Sequence, residues 1–221
     1  VARSEDDVVE ITYALPPLRG ARETFKVHLF AAKHPLDVGK LYYDVTGYPL
    51  LPPPWGLGPV MWRNENRDQA QVEEDIGKLR DLDLAATGMW LDRPYATAVN
   101  TFDFDPKKFE GAPAMIRRIH DAGLRLAVWH TPYLEPAAQP LEAEAKQKGY
   151  FVPRPSLPLN KWSVPIDFTN PAAYAYWQTQ IQRYVDAGVE GFKLDYAEDV
   201  APSLRTGRNA WGFSDGSDER T

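Results

Sequence analysis

The sequence predicts an α/β fold, the first half of a (β/α)8 barrel preceded by a short β-rich segment. Three observations lead there. After residue 51, apolar runs of strand length alternate with helical patterns through four successive units, which favours a parallel sheet with right-handed crossovers. Pro49, Pro52, Pro53 and Pro54 separate that stretch from residues 1–50, whose pattern differs. An eight-stranded barrel needs about 200 residues or more for the barrel alone, so four units make half of one.

Within residues 1–50, VVEITYAL (8–15) and FKVHLFAA (25–32) are β-rich runs joined by a Pro/Gly/Arg connection, and they read as a hairpin from a β-domain. Leu36, Leu41 and Val45 space a linking segment closed by Gly47. In residues 51–221, WGLGPVMW (55–62) predicts a first strand, and Val72, Ile76 and Leu79 predict a helix over 69–82. ATGMWLD (86–92) predicts the second strand. A helix over 113–122 turns Met115, Ile116 and Ile119 inward and ends at Gly123. LRLAVWH (124–130) predicts the third strand, followed by a polar helix near 141–148 and a Pro-rich loop over 153–165. Asn170 and Pro171 then form a good helix start, with Asn at the cap and Pro at the first position; Trp177, Ile181, Tyr184 and Val185 recur at helical spacing until Gly188. VEGFKLD (189–195) is the fourth strand.

Composition narrows the function classes. The chain has 221 residues, a net charge of -6 and a pI near 5.3, and its 25 Lys and Arg are dispersed, so a phosphate-tracking surface and a nucleic-acid partner are not expected. Cysteine is absent, which excludes disulfides and thiolate zinc sites. No signal peptide or membrane span is visible in these residues, and no membrane partner is expected. Aromatic residues make up 12%, with 7 Trp and 11 Tyr. Flat aromatic faces stack on the apolar faces of sugar rings, so this composition leans towards carbohydrate, although a large core also accounts for any single Trp.

The fourth strand is the most informative. Side chains alternate along a strand, so Phe192 and Leu194 share one face while Gly191, Lys193 and Asp195 share the other. A parallel strand covered on both sides should be almost wholly apolar. Two reasons would put Lys and Asp there: a buried ion pair that fixes register, or a catalytic carboxylate at a barrel strand's C-terminal end. The other strand ends carry Trp62 and Arg63, then Asp92, Arg93 and Tyr95, then Trp129 and His130, with Glu198 just after the fourth. Together they suit a sugar site: carboxylates for hydroxyls and for attack, cations to tune them, aromatic walls. Singly, Trp62 reads equally as core, Arg63 as a surface ion pair and His130 as a hydrogen-bonded loop residue. His120, near the end of its helix, reads as a C-terminal charge.

DVTGYPLLPPPWGLG (44–58), MWLDRPY (89–95), FDFDPKKF (102–109), GLRLAVWHTPYLEP (123–136), DFTNPAAYAYW (167–177) and GFKLDYAED (191–199) occur in this order. In these segments the chain resembles glycoside hydrolase family 31, its α-xylosidase-like branch in particular, over nearly everything from Phe25 onward. The resemblance implies a TIM barrel entered from an N-terminal β-sandwich, and a retaining α-glycosidase that works through a glycosyl-aspartate without cofactor or metal. It implies Asp195 as nucleophile, Asp92 and Lys193 as ligands of sugar hydroxyls and Trp129 as a wall of the sugar pocket. The family's general acid, an Asp beyond the fifth strand, has no counterpart before Thr221. After the shared Asp92 the xylosidase branch has Cys-Phe, where Arg93 and Pro94 stand here.

A retaining mechanism needs two carboxyl groups about 5 to 5.5 Å apart, one to attack and one to protonate the leaving oxygen. Asp195 suits attack because Lys193 projects to the same side and favours the ionised form. Glu198 is placed to reach the sugar or a neighbouring arginine. Three other readings stay open: a divalent-metal site of Asp92, Asp195 and Glu198, a non-catalytic half-barrel, and a transglycosylase of the same family. The expected partners are a carbohydrate and the remaining half of the barrel, from the same polypeptide or another chain. An open strand edge also allows pairing with a second copy.

Overall fold

The structure is a computed structural model that describes residues 2–5, 8–11, 27–153, 162, 164–197 and 212–215. It divides into two compact units, Val1–Leu51 and Pro52–Thr221. In the first, strands β1 (Ala2–Glu5) and β2 (Val8–Ile11) pair antiparallel, Glu5 opposite Val8, and helix α1 spans Pro35–Thr46. This differs from the expected pairing of 8–15 with 25–32. Residues 27–34 form no strand, and a partner two residues away closes a ladder at lower entropic cost than one beyond a long connection. Helix α1 starts at His34, whose Nδ1 accepts from the Leu36 N–H at 3.2 Å, with Pro35 at the first helical position.

The second unit is a four-stranded parallel sheet in the order β3 (Val60–Arg63), β4 (Gly88–Leu91), β5 (Arg125–His130), β6 (Gly191–Leu194). Four helices follow or separate the strands: α2 (Gln69–Asp81), α3 (Ala112–Asp121), α4 (Leu141–Gln147) and α5 (Pro171–Asp186). The first strand is shorter than the sequence predicts. Pro54–Leu57 instead forms a turn of 3-10 helix, because Pro54 fixes a helical φ and offers no N–H to a ladder.

Register assigns each side chain to a layer. Trp62 lies beside Trp90, Trp90 beside Ala127, Ala127 beside Gly191 and Trp129 beside Lys193, all on one face. On the other face Met89, Leu91, Leu126 and Val128 are fully buried, together with Val72 of α2 and Met115, Ile116 and Ile119 of α3. Trp177 and Tyr184 of α5 complete that core. The two α/β layers are thus one apolar interface, and the opposite face of the sheet carries the indoles and charges. Gly191 is required there: a Cβ would meet the Trp55 ring at 3.0 Å and the Ala127 Cβ at 3.2 Å.

Arg63 belongs to the helix side. Its Nε and Nη2 donate to the two carboxylate oxygens of the buried Asp75 on α2, at 2.9 and 2.5 Å, which pins the end of β3 to that helix. His120, in the last turn of α3, pairs with Glu190 at 3.1 Å.

Candidate active site

Two carboxylates stand at the C-terminal end of the sheet with matched surroundings. Asp92 follows β4; its Oδ2 accepts from the Trp62 indole N–H and from Lys193 Nζ, both at 2.9 Å, and its Oδ1 from the Arg93 backbone N–H at 3.0 Å. Asp195 follows β6; its Oδ2 accepts from the Trp129 indole N–H at 2.9 Å and lies 3.3 Å from Lys193 Nζ, and its Oδ1 accepts from the Tyr196 N–H at 3.0 Å. Each carboxylate therefore holds one indole, the next residue's amide and a share of the same ammonium. Local structure explains it: the alternation of β6 sends Lys193 and Asp195 to one side, and the Asp195 N–H bonds the His130 carbonyl at 2.9 Å, which carries the ladder one residue past the strand.

Exposure separates the pair. The Asp92 side chain is 6% exposed, that of Asp195 32%. Burial pushes the Asp195 carboxyl up, but the hydrogen bonds from Trp129 and Lys193, the Lys193 charge and the Tyr196 N–H outweigh it, so its pKa falls below the ordinary carboxylate range. Burial likewise lowers Lys193, and its bonds to Asp92 and Asp195 reverse that and raise it. The ammonium also sits over the rings of Trp62 and Trp90, at 5.6 and 5.9 Å from their centroids. What results is an accessible carboxylate held ionised and oriented between an indole and a cation, the arrangement a nucleophile needs.

The connection from β4 to α3 covers this end of the sheet. The Tyr95 hydroxyl donates to the Trp129 carbonyl at 2.9 Å, and the Asn100 amide donates to the carbonyls of Thr131 and Tyr133 at 2.5 Å each. These bonds fix the backbone that aims Trp129. Between this connection and Trp129 lies a cavity of about 390 Å³, whose lining includes Arg93, Glu65 and Glu135.

Of the residues singled out in the sequence, Asp92, Lys193, Asp195, Trp129 and Trp62 come together in one hydrogen-bonded chain, with Arg93 against Trp129. His130 does not join them, which corrects its expected place in the sugar site. It follows Trp129 on β5 and so points to the opposite face, 2% exposed and packed among Phe102, Trp177 and Phe192. Burial pushes its imidazole down to about 4, so it is a neutral core side chain at neutral pH. Glu198 lies outside the described residues. Among the described residues no group of three His, Cys, Asp or Glu side chains could hold a metal ion. Two residues that sequence reasoning did not single out, Trp162 and Tyr196, pack with Trp129 around Arg93. The one signal for Trp162 was a lone Trp inside a Pro-rich loop.

A sequence model of the glycosyl hydrolases family 31 TIM-barrel domain matches residues 49–217. The chain belongs to glycosyl hydrolase family 31. An α-xylosidase of Emericella nidulans is 28% identical over 190 residues, covering 80% of this chain and 24% of the relative. The lysosomal α-glucosidase of Mus musculus is 29% identical over 190 residues, 78% of this chain and 19% of the relative. The chain thus spans about a quarter or less of the length of these relatives. Solved structures agree on the fold: a family 31 α-xylosidase from a soil metagenome, complexed with xylose, superposes with a TM-score of 0.71 at 23% identity over 84% of this chain and 28% of its own. A Flavobacterium johnsoniae family 31 dextranase complexed with glucose gives 0.69 at 24% identity, over 76% and 22%. The parallel four-stranded sheet with its helices is accordingly part of a family 31 TIM barrel.

Proposed function

We propose that these four βα units carry the nucleophile and the sugar-binding groups of a retaining α-glycosidase. The observation that carries this reading is Asp195: partly exposed at a strand's C-terminal end, below the ordinary carboxylate pKa, and fixed by the Trp129 indole and Lys193. The names of the relatives, α-xylosidase and α-glucosidase, supply the anomeric class.

In this mechanism an Asp195 oxygen attacks the anomeric carbon as the glycosidic bond breaks, and an acid gives its proton to the leaving oxygen. The product is a glycosyl ester of Asp195. The same acid, now a base, takes a proton from water, which attacks the anomeric carbon and frees Asp195 with net retention. The acid must lie about 5 to 5.5 Å from Asp195, and we assign it to a part of the barrel other than these four units. Asp92 and Lys193 bind sugar hydroxyls; the charge of Lys193 is shared between the two carboxylates, so Asp195 stays ionised without being neutralised by a pair of its own. Trp129 lines the cavity but is 2% exposed, with Arg93, Trp162 and Tyr196 against its ring, so its part is to hold Asp195 through the indole N–H and to back the sugar pocket.

The test uses the polypeptide or assembly that contains the whole barrel. Incubation with a 5-fluoro-α-glycosyl fluoride should add one glycosyl group to the peptide containing Asp195, and Asp195→Ala should abolish the addition. A label on another residue, or a first-formed product of inverted configuration by NMR, would overturn the reading.

A further inference from the structure

Arg93 is a cation boxed in by three aromatic rings, and its guanidinium makes no hydrogen bond among the described residues. Its guanidinium carbon lies 5.2 Å from the ring centroid of Trp162, 5.5 Å from that of Trp129 and 5.7 Å from that of Tyr196. The three rings are inclined to one another by 59 to 85°, so they box the guanidinium in from different sides, and contact with ring faces gives its N–H donors no hydrogen-bond acceptor. Arg63, Arg118 and Arg125 each meet a carboxylate. The Arg93 guanidinium meets none: among the described residues it has neither an ion pair nor a hydrogen bond, and only its backbone N–H is engaged, with Asp92 Oδ1.

Among the described residues none offers it an acceptor. Asp92 and Asp195 are already held by Lys193 and by an indole each. Glu65 and Glu135 line the same cavity of about 390 Å³ but lie beyond ion-pair distance of Arg93, and Glu135 accepts the Val99 N–H at 2.9 Å. Two of the three rings that hold Arg93 belong to residues that also bond Asp195, so its position is coupled to that of the proposed nucleophile. A guanidinium confined by three rings and half-buried beside that cavity matches a carboxylate, sulfate or phosphate, which it can bind through two parallel charge-assisted bonds. A neutral hydroxyl would use only one of its donors.

We propose that Arg93 is a specificity-determining residue that selects sugars bearing an anionic substituent. The inference rests on the glycosidase reading for its site but is read out by binding, which does not require turnover. Isothermal titration calorimetry on the full-length protein would compare D-glucose with D-glucuronic acid, glucose 6-sulfate and glucose 6-phosphate, which also tells which anion is preferred. At least one of the three should bind ten-fold or more tightly than glucose at low salt. Arg93→Gln should erase that preference, lowering affinity for the anions at least about five-fold more than affinity for glucose, and Arg93→Lys, which keeps the charge over the rings, should restore part of it. Equal or weaker binding of all three anions would overturn the proposal. So would an equal loss for glucose and the anions in Arg93→Gln, which would mean that Arg93 only balances the charge of Asp195. Failure to label Asp195 with the fluoro sugar would count against the glycosidase reading and leave the binding comparison standing.

Discussion

Two neighbours on one strand, Trp129 and His130, face environments with opposite chemistry. On the Trp129 side the charged groups are bonded to one another: indole to carboxylate, carboxylate to ammonium, ammonium over aromatic rings. On the His130 side the imidazole is surrounded by rings and is forced to stay neutral. The difference teaches that a sheet can keep charge within one residue of its core if the charges are bonded to each other and aimed away from it. It also shows that a single peptide bond here separates a hydrogen-bonded charged cluster from the apolar core.

That comparison can be broken from either side. The largest effect belongs to Asp195: Asp195→Ala in the complete enzyme should reduce turnover of an aryl α-glycoside about ten-thousand-fold or more, with the far-UV circular dichroism unchanged. Next comes the shared cation. Lys193→Met leaves the buried Asp92 without its counter-charge, and urea unfolding should show a loss of about 2 to 4 kcal/mol, near the range for breaking a buried pair.

His130 tests the opposite face. Its folded pKa of about 4 lies below the ordinary value near 6.5, so as pH falls the unfolded chain takes up the proton first. Stability from this residue is complete above about pH 6.5 and is lost progressively towards pH 4, by up to about 3 kcal/mol. Thermal denaturation from pH 7.5 to 4 should show a shallower decline in His130→Phe than in the parent; identical slopes would place the imidazole outside the core. The smallest effect is expected for Trp129→Ala, which should weaken a monosaccharide-like inhibitor by about 1 to 3 kcal/mol. An unchanged inhibition constant would remove Trp129 from the sugar pocket.

Much of the second unit was legible because its signals are local and redundant. Asn170 followed by Pro171, and the periodic Val72, Ile76 and Leu79, marked helices that the structure contains. Lys193 and Asp195 stood out because charge on a parallel strand needs a reason, and period-two alternation placed them on one face. The same alternation was available for Trp129 and His130, but proximity to the strand end outweighed it when His130 was read as a site residue. The pairing of β1 with β2 was not legible because residues 2–5, Ala-Arg-Ser-Glu, contain no β-branched or aromatic residue to mark a strand, whereas 8–15 and 25–32 do. The box around Arg93 was not legible at all. Its walls come from residues 129, 162 and 196, which no spacing rule connects.

The sheet has its strands in the order in which the chain presents them, each one parallel to the last and beside it. A polypeptide emerging from the ribosome can therefore add β3 to β6 in turn, without holding a gap open for a later strand. Asp92 takes its place with β4, but the ammonium that compensates it belongs to β6, 101 residues later. Until that strand docks, the carboxylate has only the Trp62 indole and the Arg93 amide and must keep its water. Arrival of β6 is thus the dehydration step of assembly as well as the delivery of Asp195, and its amides should be the last of the sheet to gain protection in pulse-labelling hydrogen exchange.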